Sequence, residues 1–246
     1  MSPRIGILYP GHAAEHDYEL LAGRLSGRCT FEVAHTSVGE DAHRIDALLD
    51  MGRPERLLEG ARRLRARVAA VMWACTSGSF VYGLEGARRQ AQGLEAALGV
   101  PASSTSLAFV SALRALGARR AAIAATYPAP VTERFRNFLT VAGVEPVLVA
   151  SQGIVTAAEV GALGREAALE LVAAADHPDA EAVLVPDTAL NSIGLLEELE
   201  DRTRKPVLTA NQVSAWEALR LSGLSIAAPG LGRLFEERGD RAAPPA

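Results

Sequence analysis

Val71-Met72-Trp73-Ala74-Cys75-Thr76-Ser77 and Val183-Leu184-Val185-Pro186-Asp187-Thr188-Ala189 share one plan: an apolar run, a small or rigid residue, a chemically active side chain, then threonine and a small residue. Two further pairs keep the same order. Arg4-Ile5-Gly6-Ile7-Leu8-Tyr9-Pro10 resembles Arg120-Ala121-Ala122-Ile123-Ala124-Ala125-Thr126-Tyr127-Pro128, each a strand-like run ending in Tyr-Pro. Pro101–Gly117 resembles Pro206–Gly223, each a short strand followed by helical spacing that closes on glycine. Three matches in one order point to a duplicated four-strand α/β unit.

Working outward, Ile5–Tyr9, Phe31–His35, Val68–Trp73, Val100–Ala102, Ala121–Thr126, Val144–Val149, Ala182–Val185 and Val207–Thr209 alternate with Ala/Leu/Arg/Glu segments of helical period. That is the pattern of βα units whose parallel strands are covered on both faces. An eight-stranded (β/α) barrel fits the same count. Both architectures place ligands beyond the carboxyl ends of the strands, so function is sought there.

Cys75 follows one such strand and precedes a helical segment, Gly83 to Leu98. A thiol at a helix N-terminus meets free N–H groups and the positive end of the macrodipole, which predicts a lowered pKa and an accessible thiolate. The same N–H groups, with the hydroxyls of Thr76, Ser77 and Ser79, suit a carboxylate or an enolate. The alternative is a small buried cysteine in a Ser/Gly-rich turn. Asp187 is the mate of Cys75, and a pseudo-twofold axis would set thiol and carboxyl across one cleft. Two proton carriers on opposite faces of a carbon suit racemisation or isomerisation, whereas decarboxylation needs one acid. Equally, Asp187 reads as the cap of a helix beginning near Leu190.

Tyr127 is placed to add its phenol to the oxyanion cradle or to pack in its Tyr-Pro turn, and Tyr9 has the same ambiguity. His12 lies at a strand end and reads as a substrate contact. His12 and His16 also have i, i+4 spacing, but no third metal ligand is evident, so no metal is expected. His35 and His43 flank Thr36–Asp41 on the loop after the second strand and read as substrate-side residues or, in the preferred reading, as part of a solvated loop. Asn211 and Gln212 start the last long helix and suit polar contacts or a cap. Cys29 opens a strand at the end opposite the cleft and reads as structural.

The bulk numbers bound the class. The chain has 246 residues, 49% hydrophobic and 22% charged, with a formal net charge of −4, which describes a globular protein with no basic stripe for nucleic acid. The short apolar start before Pro10 predicts neither a signal segment nor a membrane span, so a cytoplasmic location is expected. The two cysteines, Cys29 and Cys75, exclude a disulfide scaffold or a zinc knuckle. GxGxxG and GxxxxGK[ST] are both absent, so no nucleotide cofactor is expected. Gly239–Ala246 reads as a disordered tail.

Arg4–Pro10, Cys75–Phe80, Ala125–Pro128, Asp187–Leu190 and Thr209-Ala210-Asn211-Gln212 with Trp216–Arg220 resemble the aspartate/glutamate racemase superfamily, in its arylmalonate decarboxylase and maleate cis-trans isomerase branch. The resemblance implies two Rossmann-like domains with four-stranded parallel sheets, pseudo-twofold related around a cleft. Residues 1–105 with 211–246 would form the domain carrying Cys75, and 106–210 the one carrying Asp187. It implies that Cys75 stands at the first of two positions usually held by a cysteine pair, with Asp187 at the second. Cys75-Thr76-Ser77-Gly78-Ser79-Phe80 is similar to a decarboxylase run that has glycine at the cysteine position, and Thr76, Ser77 and Tyr127 match the enolate-binding hydroxyls.

Maleate isomerases grip substrate with asparagines in regions that here read Gly11-His12-Ala13-Ala14 and Val155-Thr156-Ala157-Ala158, so maleate itself is not expected. The reading reached is a cofactor-free decarboxylase of a small malonate-type acid. Cys75 donates the proton, and Thr76, Ser77, Tyr127, Thr188 and His12 face the substrate. The alternative within the family is isomerisation or racemisation of a small dicarboxylate or amino acid, with Asp187 as second acid/base. The alternative of another class is a non-catalytic carboxylate sensor. A small carboxylate is the expected partner, with no nucleic acid and no membrane, and a homo-oligomer is compatible with the sequence.

Overall fold

The eight apolar runs become eight parallel strands among residues 2–236, the part of the chain that the computed structural model describes. They are β1 (Arg4–Pro10), β2 (Thr30–Thr36), β3 (Ala70–Trp73), β4 (Ala102–Ser104), β5 (Arg120–Ala125), β6 (Glu145–Ser151), β7 (Ala182–Val185) and β8 (Val207–Thr209). Two four-stranded sheets result, ordered β2-β1-β3-β4 and β6-β5-β7-β8, so the second repeats the first four strands later. The barrel is thereby excluded. The tail at Gly239–Ala246, with the last part of the 211–246 segment, lies outside the described residues.

Central and edge strands differ as burial dictates. In β1 and β5, residues Ile5, Ile7, Leu8, Ala122, Ile123 and Ala124 are fully enclosed, the near-continuous apolar run that a doubly covered strand requires. Edge strand β6 is mostly half-exposed. It carries Pro146, and its register on β5 passes from Ala121↔Pro146 to Ala122↔Leu148, which leaves Val147 as a bulge. A proline has no N–H for a ladder, and an edge is where a sheet tolerates it.

The third repeated pair joins the halves. Ser104 accepts from Leu107 N at 3.5 Å to start the helix Thr105–Leu116, and Thr209 with Gln212 forms a reciprocal capping box for Ala210–Leu221. These two helices pack on each other. Thr105 Oγ1 and Ser214 Oγ lie 2.7 Å apart, and Ser111 donates to Glu217 at 3.2 Å. One hydrophobic core runs through both halves, with Trp73, Phe109, Phe135, Leu184 and Val213 enclosed, and a second covers the outer face of the β5–β8 sheet around Leu169, Val172 and Val185. Each such side chain contributes roughly 1.5–3 kcal/mol. Among the described residues no helix is long and apolar enough to cross a membrane.

Candidate active site

The ends of β1, β3 and β7 open onto one cavity of about 180 Å³. Cys75 and Ser77 line it from the first half, Asp187 and Thr188 from the second, and His12 lies at its rim. A larger cavity of about 350 Å³, between the helices Pro54–Ala61 and Gly83–Leu98, is almost wholly apolar and lined by no carboxylate, thiol or imidazole, whereas the first brings Cys75 and Asp187 together.

Cys75 ends the turn after β3, where Gly78 N–H donates to its Sγ at 3.3 Å. A Cβ on Gly78 would stand 3.0 Å from that sulfur, so a side chain there would press on the thiol. Met51 Sδ lies 3.7 Å from the thiol and the Ser77 hydroxyl 3.8 Å. The expected low-pKa thiolate is corrected by this setting. The residue is 3% exposed, and burial pushes its thiol up to about 11, with the Asp187 carboxylate adding to the rise and the Gly78 N–H and Ser77 opposing it. The helix that begins at Ser77 is a single turn, Ser77–Phe80, before Gly83–Leu98. One turn of aligned peptides does not offset the removal of water around the sulfur. Cys29, as expected, is buried immediately before β2.

Asp187 is also buried, and both of its oxygens are occupied: the Thr126 hydroxyl donates to Oδ2 and Ala189 N–H donates to Oδ1 at 3.0 Å. The second bond closes an Asx turn. No helix begins at Leu190; a 3₁₀ turn starts at Ile193 and the α-helix at Leu196, so the cap expected of Asp187 is a turn cap instead. The loop is gripped on both sides. Tyr127 donates to Pro186 O at 2.5 Å, and Tyr9 reaches from the other half to donate to Thr188 O at 2.8 Å. Asn211 Nδ2 adds bonds to Thr188 O at 3.1 Å and to the buried Asp17 at 3.0 Å.

Thr76 and Tyr127 stand behind the cavity wall. Thr76 Oγ1 is sealed without a hydrogen-bond partner. Burial holds the Tyr127 phenol well above its ordinary range, Asp187 and Cys75 raise it further, and the Ser77 and Thr76 hydroxyls pull it down. Thiol, carboxylate and three hydroxyls thus share one neighbourhood. A sealed orphan hydroxyl costs about 1–3 kcal/mol unless a ligand oxygen meets it.

His12 and His16 do not share a helical face, because the first helix begins at Asp17. His12 stacks on His35 with ring centroids 3.9 Å apart and pairs with Glu15 at 3.0 Å. Those three bring one ligand-type atom each within 4.8 Å of one another, the metal-compatible grouping found among the described residues. His35 lies in β2 rather than in the loop after it.

His43 corrects the expectation of a solvated loop. It is 8% exposed, its ring meets Tyr127 edge-on at 4.8 Å, and its backbone N–H donates to Val155 O at 2.7 Å. Beside it, Asp41 accepts from Ala157 N at 2.9 Å and Ala158 N at 3.2 Å, so this strap crosses from one half to the other. Nothing local in Gly39–His43 signals this, because the partners lie more than a hundred positions along the chain; Ile154 is 111 residues beyond His43.

The arylmalonate decarboxylase family model matches residues 52–235. The arylmalonate decarboxylase of Bordetella bronchiseptica is 33% identical over 187 residues, covering 74% of this chain and 78% of that protein. A maleate isomerase of Alcaligenes faecalis is 26% identical over 176 residues, covering 69% and 70%. Among solved structures, an arylmalonate decarboxylase variant in its liganded form, with one glycine exchanged for cysteine and one cysteine for serine, matches at a TM-score of 0.85. It is 29% identical and covers 96% of this chain and 100% of that one.

Proposed function

The chain belongs to the arylmalonate decarboxylase and maleate isomerase family, and on that premise we propose that it decarboxylates a small malonate-type acid without a cofactor, using Cys75 as proton donor. As a member it is an enzyme of that family, a decarboxylase or a cis-trans isomerase acting on small carboxylates, which displaces the sensor reading. The observation that carries the finer reading is the buried thiol opening onto the same cavity as Asp187, pushed up to about 11. Such a group is a thiol at neutral pH. Adding sulfur to an alkene needs a thiolate, whereas quenching a carbanion needs the S–H.

In the proposed reaction the bond from the α-carbon to one carboxylate breaks and carbon dioxide leaves. The electron pair moves into the remaining carboxylate as an enediolate. Ser77 and the backbone at Thr188 line the cavity and meet its oxygens, and Thr76 and Tyr127 join them once their hydroxyls turn in from behind the wall, Tyr127 giving up its bond to Pro186 O. Cys75 then gives its proton to the α-carbon, and the thiolate recovers one from water.

The test is carbon dioxide release from α-substituted malonates, run in deuterium oxide with wild type and Cys75→Ser. Release with one deuteron at the α-carbon, reduced at least about 100-fold in the variant, is expected. Full activity in Cys75→Ser, or conversion of maleate to fumarate with no carbon dioxide, overturns the reading. Asp187 on the opposite side of the cavity favours racemisation as the second reading, and α-hydrogen exchange without carbon loss would identify it.

A further inference from the structure

The cavity that faces a carboxylate substrate is lined by two carboxylates, Asp41 and Asp187, and by no lysine or arginine. The groups in its lining able to carry positive charge are His12 and His43. His12 is 73% exposed in its side chain and engaged with Glu15. His43 is enclosed, and its ring orientation is set. Its Nδ1 lies 2.9 Å from Ile154 O, and a carbonyl only accepts, so Nδ1 carries the hydrogen. Its other ring nitrogen, Nε2, makes no hydrogen bond among the described residues and is not among the sealed polar atoms, so it is open to the cavity that His43 lines.

We propose that His43 is a substrate-binding residue: its imidazole takes up a proton from solvent and Nε2–H donates to a carboxylate oxygen of the bound acid. This deepens the proposed function and rests on it only for the ligand being a carboxylate. An imidazolium with both nitrogens donating, one to Ile154 O and one to the ligand, supplies the cation that the site otherwise lacks. The groups sharing the cavity with it are Asp41 on its own strap, Asp187 after β7, Cys75 after β3, Tyr9 on β1 and His12, with Tyr127 packed on its ring. Asp41, anchored on Ala157 and Ala158 N–H, keeps the strap and its imidazole over the cavity.

The test is calorimetric binding of phenylacetate, a monocarboxylate with no second carboxylate to lose, between about pH 5.5 and about pH 8.5 at constant ionic strength. Wild type is expected to bind at least about tenfold more weakly at the alkaline end of that window than at the acid end, with proton uptake on binding. His43→Asn places an amide donor where Nδ1 stands, so it keeps the Ile154 bond while removing the titrating nitrogen, and is expected to lose the pH dependence. His12→Gln is expected to keep it. A flat profile in wild type, a slope that survives in His43→Asn or vanishes in His12→Gln, or no binding at any pH overturns the proposal. Binding with its slope intact in an enzyme that releases no carbon dioxide would sink the decarboxylase reading and leave this one standing.

Discussion

The loops after β3 and β7 hold equivalent places in the two sheets, yet one presents a thiol in an apolar shell and the other a carboxylate fastened on every side. Around Cys75 the neighbours are Met51, the Ser77 hydroxyl and the Gly78 N–H. Around Asp187 are the Thr126 hydroxyl and the Ala189 N–H, with tyrosines of both halves fixing the peptides before and after it. Leu8 stands in the repeat where Thr126 stands, so the first half has no hydroxyl at the position from which Thr126 serves Asp187. A buried charge requires hydrogen bonds, whereas a thiol is tolerated without them. The two matching strand ends therefore differ: one holds a buried thiol, the other a carboxyl group fixed by hydrogen bonds.

The comparison breaks most visibly at the sulfur. Cys75→Ser is expected to lose roughly 10²–10⁴-fold in turnover of whichever malonate the enzyme accepts, as measured by carbon dioxide release, because serine does not give up a proton as readily. Asp187→Asn should leave a protein whose remaining thiol chemistry has changed. With the carboxylate gone, the alkylation midpoint of Cys75, which burial pushes up to about 11, is expected to fall, read from the rate of iodoacetamide labelling against pH. In wild type that midpoint makes labelling near pH 8 roughly two orders slower than for an ordinary cysteine. A wild-type midpoint near the ordinary thiol value would dissolve the contrast between the two loops.

The same shift has a thermodynamic sign. The folded state holds the Cys75 proton more tightly than the unfolded chain does, so this contribution to stability is complete below the ordinary thiol range and is lost as pH rises toward about 11. The stability difference between wild type and Cys75→Ser, from urea unfolding, should therefore shift against wild type over that alkaline window. A constant difference would show that the folded thiol titrates normally.

Smaller effects sharpen the acid side. Thr126→Val removes a hydroxyl donated to a buried carboxylate and should cost about 1.5–3 kcal/mol in urea unfolding. Tyr9→Phe should cost about 1 kcal/mol, because Asn211 still donates to Thr188 O, and the loss falls on the Ala14 N–H that Tyr9 accepts at 3.0 Å. A Tyr9→Phe penalty larger than that of Thr126→Val would mean that the grip between halves, not the hydroxyl on the acid, holds the Asp187 loop.

Much of this was legible in advance because it is local or repetitive. Alternating apolar runs specify parallel strands through burial on both faces, and a motif that recurs in order reveals duplication whatever the three-dimensional arrangement. Thus Val71–Ser77 and Val183–Ala189 already marked both strand ends, and Cys75 with Asp187 as the pair to watch. Tertiary structure decided what depends on enclosure and on partners far along the chain. The state of the thiol follows from the water removed around it by Met51 and its neighbours, and the turn at Asp187 from the hydroxyl of Thr126. The burial of His43 follows from Ile154 and Val155 in the opposite half. Desolvation and cross-chain hydrogen bonds belong to the packed molecule, so no reading of neighbours in sequence contains them.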